Sequence, residues 1–479
     1  KQMGAPTRPR LYSQYRQEQV QEKLSQLGIF SYLDMQYAPR DTTAACDTLD
    51  VTMQATFAKP LDAELELNVV TKSNDQTGPG ASFGVTRNNV FGGGESWNVK
   101  LKGSYEWQTG GGEKSSLMNS WEMGLSTSLT FPRVVFPHLG KREFDFPATT
   151  TFRLYINQLN RAKYYKLLSF GGNATYDFQP SRTSRHSITP FKLTFNVLQH
   201  QSAEFKEIAE ANPALYVSLR NQFIPAMEYT YTYDNASVRR IKNPIWWQST
   251  VTSAGNITSL IYRAFGKPFN EEDKSLLGAP FAQFVKLNTE LRHLWNIDKN
   301  NAIASRVAVG ALFTYGNATI APYSEQFYVG GANSIRAFTV RSVGPGGYHP
   351  EEGKYSYLDQ TGTFRFEANV EYRFRIFKSF WGATFLDAGN VWLLRKDRKL
   401  LADGKEARPD SQLRLKTFPK QIALGTGVGI RYDMDILVFR LDFGIPLHLP
   451  YDTDRSGYYN VTGAFFKNLG IHFAIGYPF

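Results

Sequence analysis

The residue best placed to do chemistry in this chain is Arg336. It sits in Tyr328-Val-Gly-Gly-Ala-Asn-Ser-Ile-Arg-Ala-Phe338, between Ile335 and Phe338, so a permanent charge is embedded in an apolar cluster. Gly330 and Gly331 just before it permit close backbone approach. The segment lies in the longest stretch without strand character, 317–362, and connections of roughly 45 residues are usually functional or disordered. If the segment folds back onto the rest of the protein, Arg336 requires a carboxylate. Glu371 and Asp387 are placed to supply one, Asp387 in Phe385-Leu-Asp-Ala-Gly389 with small residues leaving space around it. The competing account is an arginine in solvent, with the acids taken by Arg365, Arg373 and Arg375. On either account the chemistry is ion pairing.

Signals for bond-making chemistry are weak. The seven histidines are scattered and no HExxH occurs, so no metal site is expected. Phe91-Gly-Gly-Gly-Glu95 lacks the Lys-Ser/Thr of a phosphate loop and reads as a tight strand turn. No Gly-x-Ser-x-Gly marks a hydrolase nucleophile. The single cysteine, Cys46, has no partner for an intramolecular disulfide and reads as an inert turn residue. Neither an enzyme nor a cofactor is expected.

The elements that must position Arg336 and its acids are strands. Phe364, Phe366, Ala368, Val370, Tyr372, Phe374 and Ile376 alternate with Thr363, Arg365, Glu367, Asn369, Glu371, Arg373 and Arg375. Leu424, Val428, Ile430 and Tyr432 likewise oppose Gly425, Gly427, Gly429, Arg431 and Asp433, and Leu437, Phe439, Leu441, Phe443 and Ile445 oppose Arg440, Asp442 and Gly444. Period two means one face is apolar and the other charged. Burying so many charges in a dry core would cost too much, so the charged face encloses a wet lumen and the apolar face meets lipid.

Composition agrees. Aromatic residues make up 14% of the 479, which suits aromatic girdles at two membrane interfaces. Mean hydropathy is −0.37 and no apolar run is long enough for a transmembrane helix, whereas a membrane barrel dilutes its apolar signal by alternation. The net charge of +11 is spread over strands and loops, which argues against nucleic acid and for an arginine-rich lumen or anionic lipid.

About sixteen barrel strands are expected from Leu61 onward, including one over 246–263 and a last one over 468–479. Tight turns alternate with longer connections, which places 317–362 on the extracellular side. Residues 202–211 read as a small amphipathic loop helix. Before the barrel, 13–27 reads as a helix stopped by Gly28, followed by strands over 29–38 and 48–57. That unit is too small for its own core. The opening residues do not read as a signal peptide, and the chain is expected to be a mature or truncated product that starts in the middle of a fold.

The chain closes on Gly-Ile-His-Phe-Ala-Ile-Gly-Tyr-Pro-Phe, with Ile471, Phe473, Ile475, Tyr477 and Phe479 on one face. The seam between this last strand and the first, Leu61–Thr71 with Leu65, Leu67 and Val69, is expected to be the weakest of the barrel. Gly470 and Gly476 weaken a strand and Pro478 removes a ladder donor. A weak seam can open and offer two edges to a client strand.

Together these segments resemble a family. Ile335-Arg336-Ala337-Phe338 after Gly-Gly is similar to the loop-six Val-Arg-Gly-Phe/Tyr motif of the BamA/TamA superfamily of outer-membrane assembly proteins, TamA-like members most of all. Glu371-Tyr-Arg-Phe374 and Phe385-Leu-Asp-Ala-Gly-Asn390 resemble the strand motifs that receive its arginine, and Leu27-Gly-Ile-Phe-Ser31 with the strands after it resembles the end of a POTRA domain. Ala337 stands where the motif usually has Gly, which puts the local backbone in question. The resemblance implies an all-β membrane protein of a Gram-negative outer membrane: residues 1–60 as the C-terminal part of a periplasmic α/β POTRA domain, and 61–479 as a ~16-stranded transmembrane barrel with the 317–362 loop folded into its lumen. It implies insertion or export of client chains without nucleotide. The partners it implies are outer-membrane lipid, unfolded outer-membrane client proteins, and periplasmic or membrane partner subunits, with no nucleic acid. A passive pore and a two-partner secretion exporter are the competing functions.

Overall fold

Alternating residues of one chain can satisfy lipid outside and water inside only if the sheet they form curls on itself, and this one does. The computed structural model describes residues 11–41, 48–71, 76–108, 120–136, 147–161, 165–203, 206, 221–236, 241–270, 274–276, 279–317, 321–350, 360–396, 408–434, 437–463 and 468–479. Cys46 and most of the expected 202–211 helix lie outside the described residues. At the N-terminal end, helix α1 (Gln14–Gln26) lies on a hairpin of β1 (Phe30–Pro39) and β2 (Leu49–Phe57). Leu24 is buried, and the Gln17 and Gln21 amides each donate to a β1 carbonyl, of Met35 and Leu33, at 3.3 Å. Gly28, at φ 65°, ends the helical run in a backbone region that costs other residues more.

The barrel follows as β3 (Leu61–Thr71), β4 (Gln76–Asn88), β5 (Ser96–Gln108), β6 (Ser120–Phe131), β7 (Ala148–Arg161), β8 (Tyr165–Ser181), β9 (Ser184–Gln201), β10 (Gln222–Asp234) and β11 (Ile245–Ala254). Helix α2 (Asn256–Ala264) and the two-residue strands β12 (Ser275–Leu276) and β13 (Ala279–Pro280) intervene. Then come β14 (Phe284–Asn296), β15 (Asn301–Thr314), β16 (Phe364–Phe377), β17 (Phe380–Trp392), β18 (Ala423–Asp433), β19 (Val438–His448) and β20 (Gly470–Ile475). Sixteen of these strands make one antiparallel sheet in chain order from β3 to β20. Glu367, Asn369, Glu371 and Arg373 on β16 are buried, while Val370 and Tyr372 between them and Ile376 beyond them are exposed. The charged face is therefore the inner one, and the apolar side chains point out toward the acyl chains, as outer-membrane barrels require.

Two expected strands are corrected. The one expected over 246–263 ends at Ala254. Gly255 adopts φ 69°, and a Cβ there would lie 2.2 Å from the Ala282 carbonyl oxygen, so only glycine makes this turn. Beyond it the apolar residues change period: Ile257, Leu260 and Ile261 are spaced for a helix, and α2 forms. The last strand stops at Ile475 instead of running to Phe479. Gly476, at φ 88°, turns the chain away, its N–H donating to the Val438 carbonyl at 2.7 Å. The Tyr477 and Phe479 rings then lie 4.1 and 5.9 Å from the guanidinium carbon of Arg373, so they leave the outward face of β20 and join an inward-facing arginine.

The tight turn after β4 is held by one carboxylate. Gly92 and Gly94 take positive φ, and Glu95, 2% exposed, accepts from the Gly93 N–H and from Arg133 Nη2, both at 2.9 Å. Burial disfavours ionised Glu95, but the Glu95 and Gly93 backbone N–H groups and Arg133 outweigh it and hold the carboxyl below its ordinary range. Glu95→Gln is expected to cost about 1–2 kcal/mol at neutral pH, since charge-assisted hydrogen bonds are lost from a buried site. With a depressed folded pKa, that stabilisation is complete above the ordinary value of 4.5 and disappears as pH falls through the lower folded value. Thermal midpoints of the parent and variant in detergent should therefore converge below pH 4.5. A gap that persists in acid would show that the carboxylate is not the source.

Candidate functional site

The long connection between β15 and β16 enters the lumen and delivers Arg336 to its wall. The loop is shaped by its own backbone: Gly330 and Gly331 take φ of 101° and 94°, the Gly331 N–H donates to the Phe338 carbonyl at 2.7 Å, and the Phe338 N–H donates to the Ile335 carbonyl at 3.1 Å. A Cβ on Gly330 would lie 2.1 Å from the Thr339 carbonyl oxygen, so this turn also requires glycine. Ile335, Ala337 and Phe338 are buried in the apolar cluster with Leu312, Phe327, Val329 and Val391. The hydrophobic residues thus dock the loop and leave the arginine between them no route to water.

Arg336 is 0% exposed and fully engaged. Its Nε and Nη2 donate to the two oxygens of Asp387 at 2.8 and 2.9 Å, a bidentate fork, and its own backbone N–H adds a third bond to that carboxylate at 3.0 Å. Nη1 donates to Glu371 and lies 3.8 Å from Asp442. The guanidinium carbon rests 3.5 Å from the centroid of the Phe385 ring. Strand register explains the assembly. Asn369 on β16 is paired with Asp387 on β17, and the Asn369 amide donates to Asp387 at 2.9 Å and to the Ser334 carbonyl at 2.8 Å.

Four further residues complete the site; alternation sets them opposite the apolar faces of their strands but does not say which partners they meet. Arg431 on β18 donates to Glu371 at 3.1 Å and lies 2.6 Å from Asp442. Arg440 on β19 donates to the Ala332 carbonyl at 3.1 Å and to Asn333 Oδ1 at 2.6 Å, fixing the loop tip. Asp442 is paired across the ladder with His472 on β20. His472 Nε2 donates to the carbonyl of Arg336 at 2.7 Å, so the terminal strand is tied to the arginine's backbone. The signal available in the sequence was the alternation itself; which inward charges meet depends on the stagger between strands.

The wall beneath the loop is cut away to receive it. A Cβ on Gly444 would lie 2.4 Å from the Arg336 carbonyl oxygen, and one on Gly470 3.1 Å from it. A Cβ on Gly425 would lie 2.3 Å from the Ala337 Cβ. Ala337 is therefore accommodated where the resemblance leads one to expect glycine, because the wall opposite lacks a side chain. Its φ is not among the positive values, so a methyl group is compatible with the backbone there.

The seam residues are placed as follows. Leu65 and Leu67 on β3 and Ile471, Phe473 and Ile475 on β20 are all exposed on the outer face. Val69 takes its ladder position opposite Pro79 on β4. The sheet begins at β20 and ends at β3, and among the described residues no ladder joins these two strands. Gly470 opens β20; Gly476, Pro478 and Phe479 lie beyond its end.

Residues 89–479 match the Omp85 superfamily domain. Among solved structures, the chain is similar to BamA from Haemophilus ducreyi lacking POTRA domains 1–3, at 14% identity and a TM-score of 0.63, over 98% of this chain and 79% of that one. It also matches CdiB from Acinetobacter baumannii (12% identity, TM-score 0.49, 89% and 64% of the two chains) and CdiB from Escherichia coli (12%, 0.48, 98% and 72%). A sixteen-stranded antiparallel sheet with its charged face inward and a family match over most of its length lead to one conclusion: this chain belongs to the Omp85 superfamily and is an outer-membrane β-barrel protein of a Gram-negative bacterium.

Proposed function

We propose that this protein inserts or exports client chains at the outer membrane through the seam between β3 and β20, with Arg336 as the latch that fixes the lumen loop against the seam wall. One observation carries the reading: among the described residues no ladder joins the edges of β3 and β20, while β20 is tied from inside to the loop through His472 and the Arg336 carbonyl. Free strand edges recruit strands. No nucleotide is needed, since pairing and burial of the client's apolar face supply the free energy. Helix α1 with the β1–β2 hairpin is the end of a POTRA domain in this reading, on the periplasmic side where unfolded clients and partner subunits arrive.

Depletion of the protein in its own host tests this. Several unrelated barrel proteins should lose their heat-modifiable folded form together. Loss of a single secreted protein, with other barrels unaffected, would overturn the assembly reading in favour of a dedicated exporter. A change in small-solute permeability alone would make it a passive pore.

A further inference from the structure

Helix α2 is built the wrong way round for water. Ile257, Leu260 and Ile261 share one face and are exposed, and Phe265, next along that face, is 84% exposed. The opposite face carries Thr258 and Ser259, which are buried. Ser259 Oγ donates to Gln283 Oε1 at 2.8 Å and accepts from Lys274 Nζ at 3.2 Å, and Lys274 also donates to the Phe269 carbonyl at 2.6 Å. The Tyr262 hydroxyl donates to the Ser275 carbonyl. A helix on a soluble domain turns its apolar stripe inward and its polar face out. Here the polar face is fixed inward by buried hydrogen bonds, so the helix cannot roll to hide its apolar face without leaving those groups unsatisfied.

Two observations identify what covers that face. Only Gly255 separates β11 from α2, so the helix starts at the end of the wall whose exposed outer set includes Val251 on β11, Leu287 on β14 and Phe313 on β15. Arg263 and Lys267 flank Phe265 and are themselves exposed. Apolar anchors with basic neighbours are the composition of a helix at a membrane interface, where cations meet headgroup phosphates. The connection containing α2 is on the same side of the barrel as the Arg336 loop, two strands earlier. We propose that α2 lies in the headgroup–acyl boundary of the outer leaflet, with Ile257, Leu260, Ile261 and Phe265 among acyl chains and Arg263 and Lys267 on anionic headgroups. This inference is independent of the assembly reading.

Depth-dependent quenching tests it on the whole protein in lipid nanodiscs. With Cys46→Ser as background, Ile261→Cys carries an environment-sensitive fluorophore, and Asp454→Cys, exposed in the connection between β19 and β20, serves as the aqueous control. In phosphatidylglycerol discs, a nitroxide on the acyl chain should quench the 261 label at least twofold more than the 454 label, and iodide should do the reverse. Equal quenching by both agents at the two sites would place α2 in water and overturn the proposal. A 261 label that neither agent reaches would show a protein covering and overturn it as well. Replacing the discs by phosphatidylcholine should lower nitroxide quenching at 261, and Arg263→Gln with Lys267→Gln should abolish that dependence; no dependence in the parent would overturn the headgroup contact. Should Ile261→Cys lose heat-modified mobility, Ile257→Cys reports on the same face.

Discussion

Arg336→Ala is expected to destabilise the protein by about 3–5 kcal/mol, the cost of removing one member of a buried ion pair. The loss falls mainly on Asp387. Glu371 keeps Arg373 at 2.8 Å and Arg431 at 3.1 Å, but Asp387 is left with the Asn369 amide and one backbone N–H, and that N–H belongs to the loop that has lost its anchor. Arg336→Lys keeps the charge and loses the fork, so it should fall between the parent and the alanine variant. Thermal loss of heat-modified gel mobility in detergent measures the effect. A double-mutant cycle with Asp387→Ala should return a coupling of at least 2 kcal/mol, within the range for contacting residues in one network (~0.5–3 kcal/mol). Additive effects, or an unchanged midpoint for Arg336→Ala, would mean that the loop is held by Ile335 and Phe338 alone.

Locking the seam should abolish activity while leaving the fold intact. After Cys46→Ser, one cysteine placed along Leu61–Thr71 and another along Gly470–Ile475 are scanned for pairs that oxidise, which requires Cα atoms about 4.4–6.8 Å apart. A cross-linked barrel should lose more than tenfold of its capacity to fold clients in reconstituted vesicles, and a reductant should restore it. The control is the same pair across β4 and β5, which are joined by a ladder. A locked seam with full activity removes the gate from the mechanism and moves the work to the α1–β1–β2 unit. Activity that fails to return on reduction would mean that the cross-link damaged the barrel.

Much of this architecture is legible in the sequence because a barrel wall has only two environments. Residues 364–376 and 437–445 state their faces by alternation, and the order of the strands follows from a simple meander. Arg336 is legible as well, since a charge between Ile335 and Phe338 must find an acid. What the sequence hides is set by stagger and by single glycines. Arg431, Arg440 and Asp442 appear as inward charges, yet that Arg431 meets Glu371 and Asp442 while Arg440 reaches the loop tip depends on how β18 and β19 slide against β16. The strand expected through 263 breaks because Gly255 takes a left-handed turn, and the last strand ends early for the same reason at Gly476. The alternation of Tyr477 and Phe479 continues in sequence after it has ceased in space, because a period of two describes a face only while the backbone remains extended.

The glycines of β18, β19 and β20 that accept the Arg336 loop carry a consequence for how such barrels diverge. Gly425, Gly444 and Gly470 hold no side chain where Ala337 and the Arg336 carbonyl sit, so the wall is a mould and the loop its casting. The shape of one is recorded in the other, on strands that follow it by 80 residues or more in the chain. Loop and wall are then a single heritable module split across the sequence. A loop exchanged between relatives brings its charge but not its seat, and would fit only where the recipient's last three strands were cast for the same form.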